Sequence, residues 1–305
     1  MNTKFKFIKY TKWWFMISAI VILIGVGAMV SNKVRYGQFL QLGIDFTGGT
    51  LMELKFDEAG TDQLQALRDT IDGAVANTVS QITVTDQDTY IVHGKDLSEE
   101  QYDAVKASIT EQLGAFEEIR FTTIGPKVGE TLKRKSMTAL SIALIAIVLY
   151  IAYAFRRVPK RISPWRFGVC AIVALVHDVL ITLGVFALMG FEVDAFLITA
   201  LLTIMGFSVH DTIVVFDRIR ENLKQQGRDD TFGDIVDLSL NQTLSRSINT
   251  SVSTLFTLVA LFFLGAESLR IFIFAMIIGI IAGTYSSIFI ASPVLTIWQE
   301  RKRLR

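Results

Sequence analysis

The chain has 305 residues, 51% of them hydrophobic, a mean hydropathy of +0.45 and a net charge of +1 from 30 Lys+Arg and 29 Asp+Glu. The charges lie almost wholly outside six apolar stretches at 13–30, 137–155, 167–189, 195–216, 247–264 and 271–298, within which only Asp178 and Asp211 are charged. That partition excludes a soluble globular enzyme, and without a basic domain or a basic–aromatic stripe nucleic-acid binding has no support. Each stretch is close to the ~20 residues a helix needs to cross the hydrocarbon core, so the expected fold is an α-helical membrane protein with six transmembrane helices.

Residues 1–12 are expected to be a cytoplasmic N-terminus, with Lys4, Lys6, Lys9 and Lys12 preceding transmembrane helix 1 at 13–30. The length of this apolar run and the lack of a small-x-small cleavage site predict an uncleaved span rather than a signal peptide. Residues 31–136 read as an extracytoplasmic α/β domain. Leu51–Phe56 alternates at strand period, and 61–75 is helical by the spacing of Leu64, Leu67 and Ile71, with Thr61 as its expected N-cap. Strands are expected at 81–85 and 89–93 around a turn at 86–88. Ser98-Glu99-Glu100-Gln101 then has the form of a capping box, and 119–124 closes as a strand. The order βαββαβ is that of a ferredoxin-like unit.

The membrane domain, 137–305, holds transmembrane helices 2–6, with cytoplasmic loops at 156–166 and 217–246 and a cytoplasmic C-terminus. With this orientation the short inner segments carry 18 Lys and Arg against 1 on the short outer loops, as the positive-inside rule requires. Lys133-Arg134-Lys135, outside the second span, is a minority signal. Trp13, Trp14, Trp165 and Trp298 all fall at the inner ends of spans, where an indole ring sits well at the interface. The fourth helix is expected to run past the membrane through 217–222, to break at Gly227-Arg228-Asp229-Asp230, and to be followed by an amphipathic helix from Thr231 into the fifth span.

Asp178 lies mid-span, and Asp211 lies in the inner half of its span, ~7–8 Å deep at 1.5 Å per residue. A carboxylate at the centre of a span costs ~2.5–3.5 kcal/mol on insertion scales, which makes each a functional candidate. The bland alternative is a protonated or hydrogen-bonded acid that serves packing alone. On the fifth span Arg246, Thr250, Ser253, Thr254 and Thr257 share one helical face. A polar stripe with an arginine at its end suits a hydrated seam, where Asp211 is expected to meet Arg246. Such a pair would act as a proton-gated latch: the guanidinium favours the carboxylate, and its departure lets desolvation favour the acid. Ser208 and His210 stand beside Asp211 as supporting polar groups, although an adjacent residue points about 100° away on a helix.

The residues 206–222 (GFSVHDTIVVFDRIREN) closely resemble the fourth-span signature of the SecF branch of the SecD/SecF family of protein-export membrane subunits. Asp45-Phe46-Thr47-Gly48-Gly49-Thr50 is similar to that family's outer-face motif, and Asn241-Gln242-Thr243-Leu244-Ser245-Arg246-Ser247 to its fifth-span entry. The resemblance extends over nearly the whole chain. It implies a half-transporter of the resistance–nodulation–division type in the bacterial inner membrane. Such a chain pairs with a separate SecD-like subunit, attaches to the SecYEG channel, and uses the proton or sodium motive force to draw secreted polypeptides outward. It also implies ion coupling at Asp211 and Arg246. No HExxH, G-x-S-x-G or Walker A pattern occurs, and the single cysteine, Cys170, lies in a span, so no enzyme activity, cofactor or metal is expected. An intramembrane aspartyl protease would need two carboxyls sharing a proton and a motif that is absent here. Half of an ion-driven small-molecule or lipid exporter of the same fold is the stronger rival.

Overall fold

The computed structural model describes residues 5–56, 61–76, 78–84, 89–156, 163–225 and 231–301. Two compact units divide the chain, one formed by residues 1–41 and 138–305 and the other by 42–137.

The smaller unit begins with a single helical turn, α2 (Ile44–Thr47), after the long helix α1 (Thr11–Tyr36) of the other unit. Then come β1 (Gly49–Phe56), α3 (Thr61–Ala74), β2 (Val79–Val84), β3 (Thr89–Gly94), α4 (Glu99–Leu113) and β4 (Phe116–Ile124). All neighbouring strands are antiparallel, in the order β2-β3-β1-β4. Period-two alternation sends Met52, Leu54 and Phe56 to one face, where they meet Leu67 and Ile71 from α3 and Val105 and Ile109 from α4. Thr61 is the first residue of α3 rather than a residue preceding it, and the turn at 86–88 lies outside the described residues. The Ser98 capping box is formed in both directions, with Ser98 accepting from the Gln101 N–H and the Gln101 side chain accepting from the Ser98 N–H. β4 starts three residues earlier than its apolar pattern predicts, because Phe116 packs against Phe56 at 5.8 Å while Glu117 and Glu118 interrupt the alternation.

Glu118 accepts hydrogen bonds from Tyr102 and, at 3.0 Å, from Lys106. Partial burial pushes its carboxyl up, but these two donors outweigh burial and hold it below the ordinary carboxylate value. A lowered folded-state value stabilises the unit above the unfolded pKa, and the gain is lost as pH falls through the folded value. Glu118→Gln should therefore lower the urea midpoint of this unit modestly at neutral pH. The difference from the parent should vanish on acidification, as followed by far-ultraviolet circular dichroism of the full chain in detergent.

Among the described residues, six helices are long and apolar enough to cross a membrane. They are α1, entered through a 3-10 turn at Ile8–Tyr10; α5 (Pro126–Ala154); α6 (Pro164–Met189); α7 (Ala195–Gln225); α8 (Phe232–Leu264); and a sixth built in three pieces. Those pieces are α9 (Arg270–Ser286), a π-helical turn at Ser287–Ala291, and α10 (Ser292–Arg301). Most helices outrun their apolar stretches, because hydropathy marks the bilayer and not the end of the hydrogen-bond ladder. Thus Lys133, Arg134 and Lys135 lie within α5, and 217–222 continues α7 as expected. The amphipathic segment and the fifth span are one helix, α8, started by a Thr231–Asp234 capping box. The break expected at 227–230 lies outside the described residues.

Glycines allow close helix approaches at two crossings. A Cβ on Gly25 would lie 2.7 Å from the Cα of Gly184, so α1 and α6 touch backbone to backbone. A Cβ on Gly283 would lie 2.9 Å from that of Ser208, which brings α9 against α7. Gly279 and Gly283 thus both serve packing within the chain, against Ile204 and Ser208 of α7. Phe155 stacks on Phe167 at 4.9 Å, with Phe216 edge-on to Phe167 at 5.1 Å, tying α5, α6 and α7 together.

A buried carboxylate network as the candidate functional site

Asp178 on α6 is fully buried, and three side chains converge on it. Ser208 of α7 donates to Oδ2 at 2.6 Å, Ser286 of α9 donates to the same oxygen at 2.9 Å, and His177 Nδ1 lies 3.0 Å from Oδ1. The other ring nitrogen of His177 lies 3.0 Å from Ser18 Oγ on α1. One carboxyl therefore joins four spans, the first, third, fourth and sixth. Ser287, the next residue along, donates to Asp211 Oδ2. Adjacent serines on the sixth span thus serve two different aspartates, which is possible because neighbouring helical side chains diverge by about 100°.

The π-turn begins at Ser287. Pro293, just past its end, has no N–H to offer the Phe289 carbonyl four residues back, and Ser292 Oγ donates to the Ser287 carbonyl at 3.1 Å. Single π-turns inside helices are rare and recur at functional sites. The Asp211 partner is the first residue of that wide turn.

The sequence candidates sort as follows. Asp178, Ser208 and Asp211 are brought into one buried polar layer, whereas His210 is exposed on another face of α7. Asp211 and Arg246 form no ion pair among the described residues. Arg246 is exposed and lines a polar pocket of about 290 Å³ with Asp217, Arg218 and Glu221 of α7 and with Gln242 and Thr243 of α8. The reason is helical phase: α8 buries Ser247 and Ser251, which sit about 100° round the helix from Arg246 and Thr250 respectively. The predicted stripe consequently turns away from its own bundle. Thr250 and Ser253 are exposed and Thr254 is half-buried, and their hydroxyls donate to the carbonyls of Arg246, Asn249 and Thr250. The seam expected between Asp211 and the stripe is not formed within this chain.

Sequence reasoning missed Ser18, Ser286 and Ser287. The signal available was the polar cluster Thr284-Tyr285-Ser286-Ser287 within an otherwise aliphatic span.

Asp45-Phe46-Thr47-Gly48-Gly49 has a different task. Asp45, Phe46 and Thr47 lie in α2, with Phe46 buried, and Gly48 and Gly49 take φ of 72° and 117°. A Cβ on Gly48 would lie 2.6 Å from Pro126 Cα, and one on Gly49 would lie 2.4 Å from the Gly94 carbonyl oxygen. Two glycines thus let the start of β1 pass between β3 and the first turn of α5, which no side chain at those positions would permit.

Residues 104–301 match the model of the C-terminal part of the protein export membrane protein SecD/SecF, and residues 40–59 match the SecD/SecF GG motif. The chain belongs to the SecD/SecF protein-export family. Among its relatives, the protein translocase subunit SecF of Thermobaculum terrenum is 39% identical, with 96% of this chain and 93% of that protein covered. The corresponding SecF of a Synechocystis strain is 37% identical over 97% and 95%. The crystal structure of the translocon-associated membrane protein SecDF from Thermus thermophilus aligns with TM-score 0.83 at 33% identity, covering 97% of this chain. This SecD/SecF-family chain spans 39% of the length of that structure. The GG match falls on the Gly48–Gly49 crossing, and the longer match contains both aspartates and their serine partners.

Proposed function

We propose that the chain is a SecF-type subunit of the bacterial Sec translocase, that it pairs with a separate SecD-like chain, and that it converts a proton or sodium gradient into help for secreted polypeptides leaving the SecYEG channel. It performs transport and not catalysis. The observation that carries this reading is Asp211, a carboxyl buried at membrane depth whose hydrogen bond comes from a neighbouring span at a π-turn. Intramembrane carboxyls are retained where ions pass, and an ion that takes the place of the Ser287 hydroxyl would release the sixth span. Asp178, with its ring of donors, serves as the fixed point about which such a change occurs.

The outward stripe supports the partner. Threonine and serine hydroxyls with an arginine at their end are poorly matched to lipid, and a homologous subunit presenting its own polar face would cover them. Arg246 then couples ions across the interface between subunits rather than inside this one. The small unit sits outside the plasma membrane with both termini in the cytoplasm, a reading supported by the excess of Lys and Arg in the short inner segments. Its strand order, with β3 between β1 and β2, supports a ferredoxin-like fold able to meet emerging polypeptide.

The test is purification from membranes followed by export assays. A SecD-like chain and SecYEG should copurify, and vesicles containing the complex should show export stimulated after the ATP-driven stage by one of two separately imposed gradients, proton or sodium. Recovery as a self-assembly that moves small molecules and leaves export unchanged would reject the reading.

A further inference from the structure

We propose that the apolar groove between α8 and the sixth span binds an anionic phospholipid, with one acyl chain in the groove and the headgroup phosphate held by lysines of the N-terminal segment. The site rests on the orientation and the partner face proposed above. The groove has a volume of about 280 Å³ and is walled by Leu244, Ile248, Val252 and Leu255 from α8 and by Ile281 and Phe289 from the sixth span. Ser251 and Thr284, on its floor, hydrogen-bond each other, so the groove offers a guest no unsatisfied polar group. An aliphatic chain suits such a lining; a polar solute does not.

Helix geometry places this groove away from the partner. At 100° per residue, Leu244, Ile248 and Leu255 fall nearly opposite Arg246, Thr250 and Thr257 on α8. A subunit covering the polar stripe therefore leaves the groove facing the bilayer, and Ile248, Val252 and Ile281 are respectively 43%, 39% and 52% exposed.

The cytoplasmic end of the groove is closed by the N-terminal segment. Asp237, Asn241, Leu244 and Ile248 recur at i, i+4, i+7 and i+11 and share one face of α8. Asp237 accepts from the Ile8 N–H at 2.9 Å, while Asn241 accepts from the Phe5 N–H at 3.1 Å and donates to the Phe5 carbonyl at 2.8 Å. Phe289, in the groove wall, lies 4.4 Å from the Trp14 ring and 5.9 Å from the Phe7 ring. The segment pinned there carries Lys6, Lys9 and Lys12, all exposed. An acyl slot whose end is capped by a segment carrying three exposed lysines matches a lipid with a negative headgroup, and a lysine near an anionic membrane surface contributes on the order of fivefold in affinity.

Native mass spectrometry of the full chain in detergent tests the site, with dioleoyl phosphatidylglycerol and dioleoyl phosphatidylcholine as probes. Phosphatidylglycerol should bind about tenfold better or more, from the lysine contributions above. Combined Lys6→Gln, Lys9→Gln and Lys12→Gln should erase that preference, and Val252→Trp, which fills the groove, should reduce retention of both lipids. Equal binding of the two probes to the parent chain, or undiminished retention in Val252→Trp, would overturn the proposal. So would crosslinking of Val252→Cys in membranes to a SecD-like chain rather than to a photoreactive phospholipid. None of these readouts depends on export, so a failed lipid site and a failed transport reading can be told apart.

Discussion

Asp211→Asn is expected to insert and fold normally, to leave ATP-driven translocation intact, and to abolish the gradient-dependent stimulation of export. Asparagine is nearly isosteric with aspartate and its carbonyl oxygen can still accept from Ser287, so the packing of α7 against the sixth span survives. What is removed is the ability to change charge. A unit charge carries ~2.3 kcal/mol per 100 mV across a membrane, enough to bias two helix packings that differ by a few kcal/mol. A neutral amide experiences none of it. The measurement is precursor uptake into inverted vesicles with and without an imposed gradient, at fixed amounts of complex. Stimulation undiminished in the mutant would take Asp211 out of the mechanism. Asp178→Asn is the companion: it keeps an acceptor for Ser208 and Ser286, and a fall in abundance with coupling per molecule unchanged would assign Asp178 to packing.

Gly283→Leu should do greater damage to the assembly. The first side-chain carbon alone would stand 2.9 Å from the Ser208 Cβ, and the isobutyl group has nowhere to go unless α9 and α7 separate. Overpacking of this kind costs about 1–3 kcal/mol. Here the separation also pulls Ser286 from Asp178 and Ser287 from Asp211, each interhelical hydrogen bond being worth about 0.6 kcal/mol on average. Thermal stability in detergent should fall, and coupling should fail even in molecules that remain folded. A smaller side chain checks the geometry: Gly283→Ala should cost less thermal stability than Gly283→Leu, since only the first side-chain carbon then meets the Ser208 Cβ. If Gly283→Leu is as stable as the parent, the α7–α9 contact does not hold the network together.

Much of this protein is visible in linear order because the bilayer imposes a strong, local rule. A span must be apolar for about twenty residues, and a charge inside it is conspicuous, so Asp178 and Asp211 are legible without coordinates. The small unit is legible for a related reason: β1 alternates, α3 repeats at helical spacing, and Ser98 announces a helix start, each a short-range signal. β4 is read only in part, since Phe116 belongs to the strand through its contact with Phe56, sixty residues distant in sequence.

Partnerships are another matter. Periodicity puts Arg246, Thr250 and Thr254 on one face of α8 but says nothing about which way that face turns. The obvious match, acid with guanidinium, is not made within the chain. The rotation of α8 follows from its buried residues Thr243, Ser247 and Ser251, and the depth at which α9 meets α7 follows from Gly283 against Ser208. Hydroxyls carry no charge and barely perturb hydropathy, so Ser18, Ser286 and Ser287 stay silent until helix packing brings Ser18 to His177 and the other two to the carboxylates. Sequence alone determined where the membrane lies and where charge enters it, because solvent transfer acts residue by residue. Tertiary structure decided which groups share those charges, because a helix's rotation and depth are fixed by steric fit among all its neighbours together.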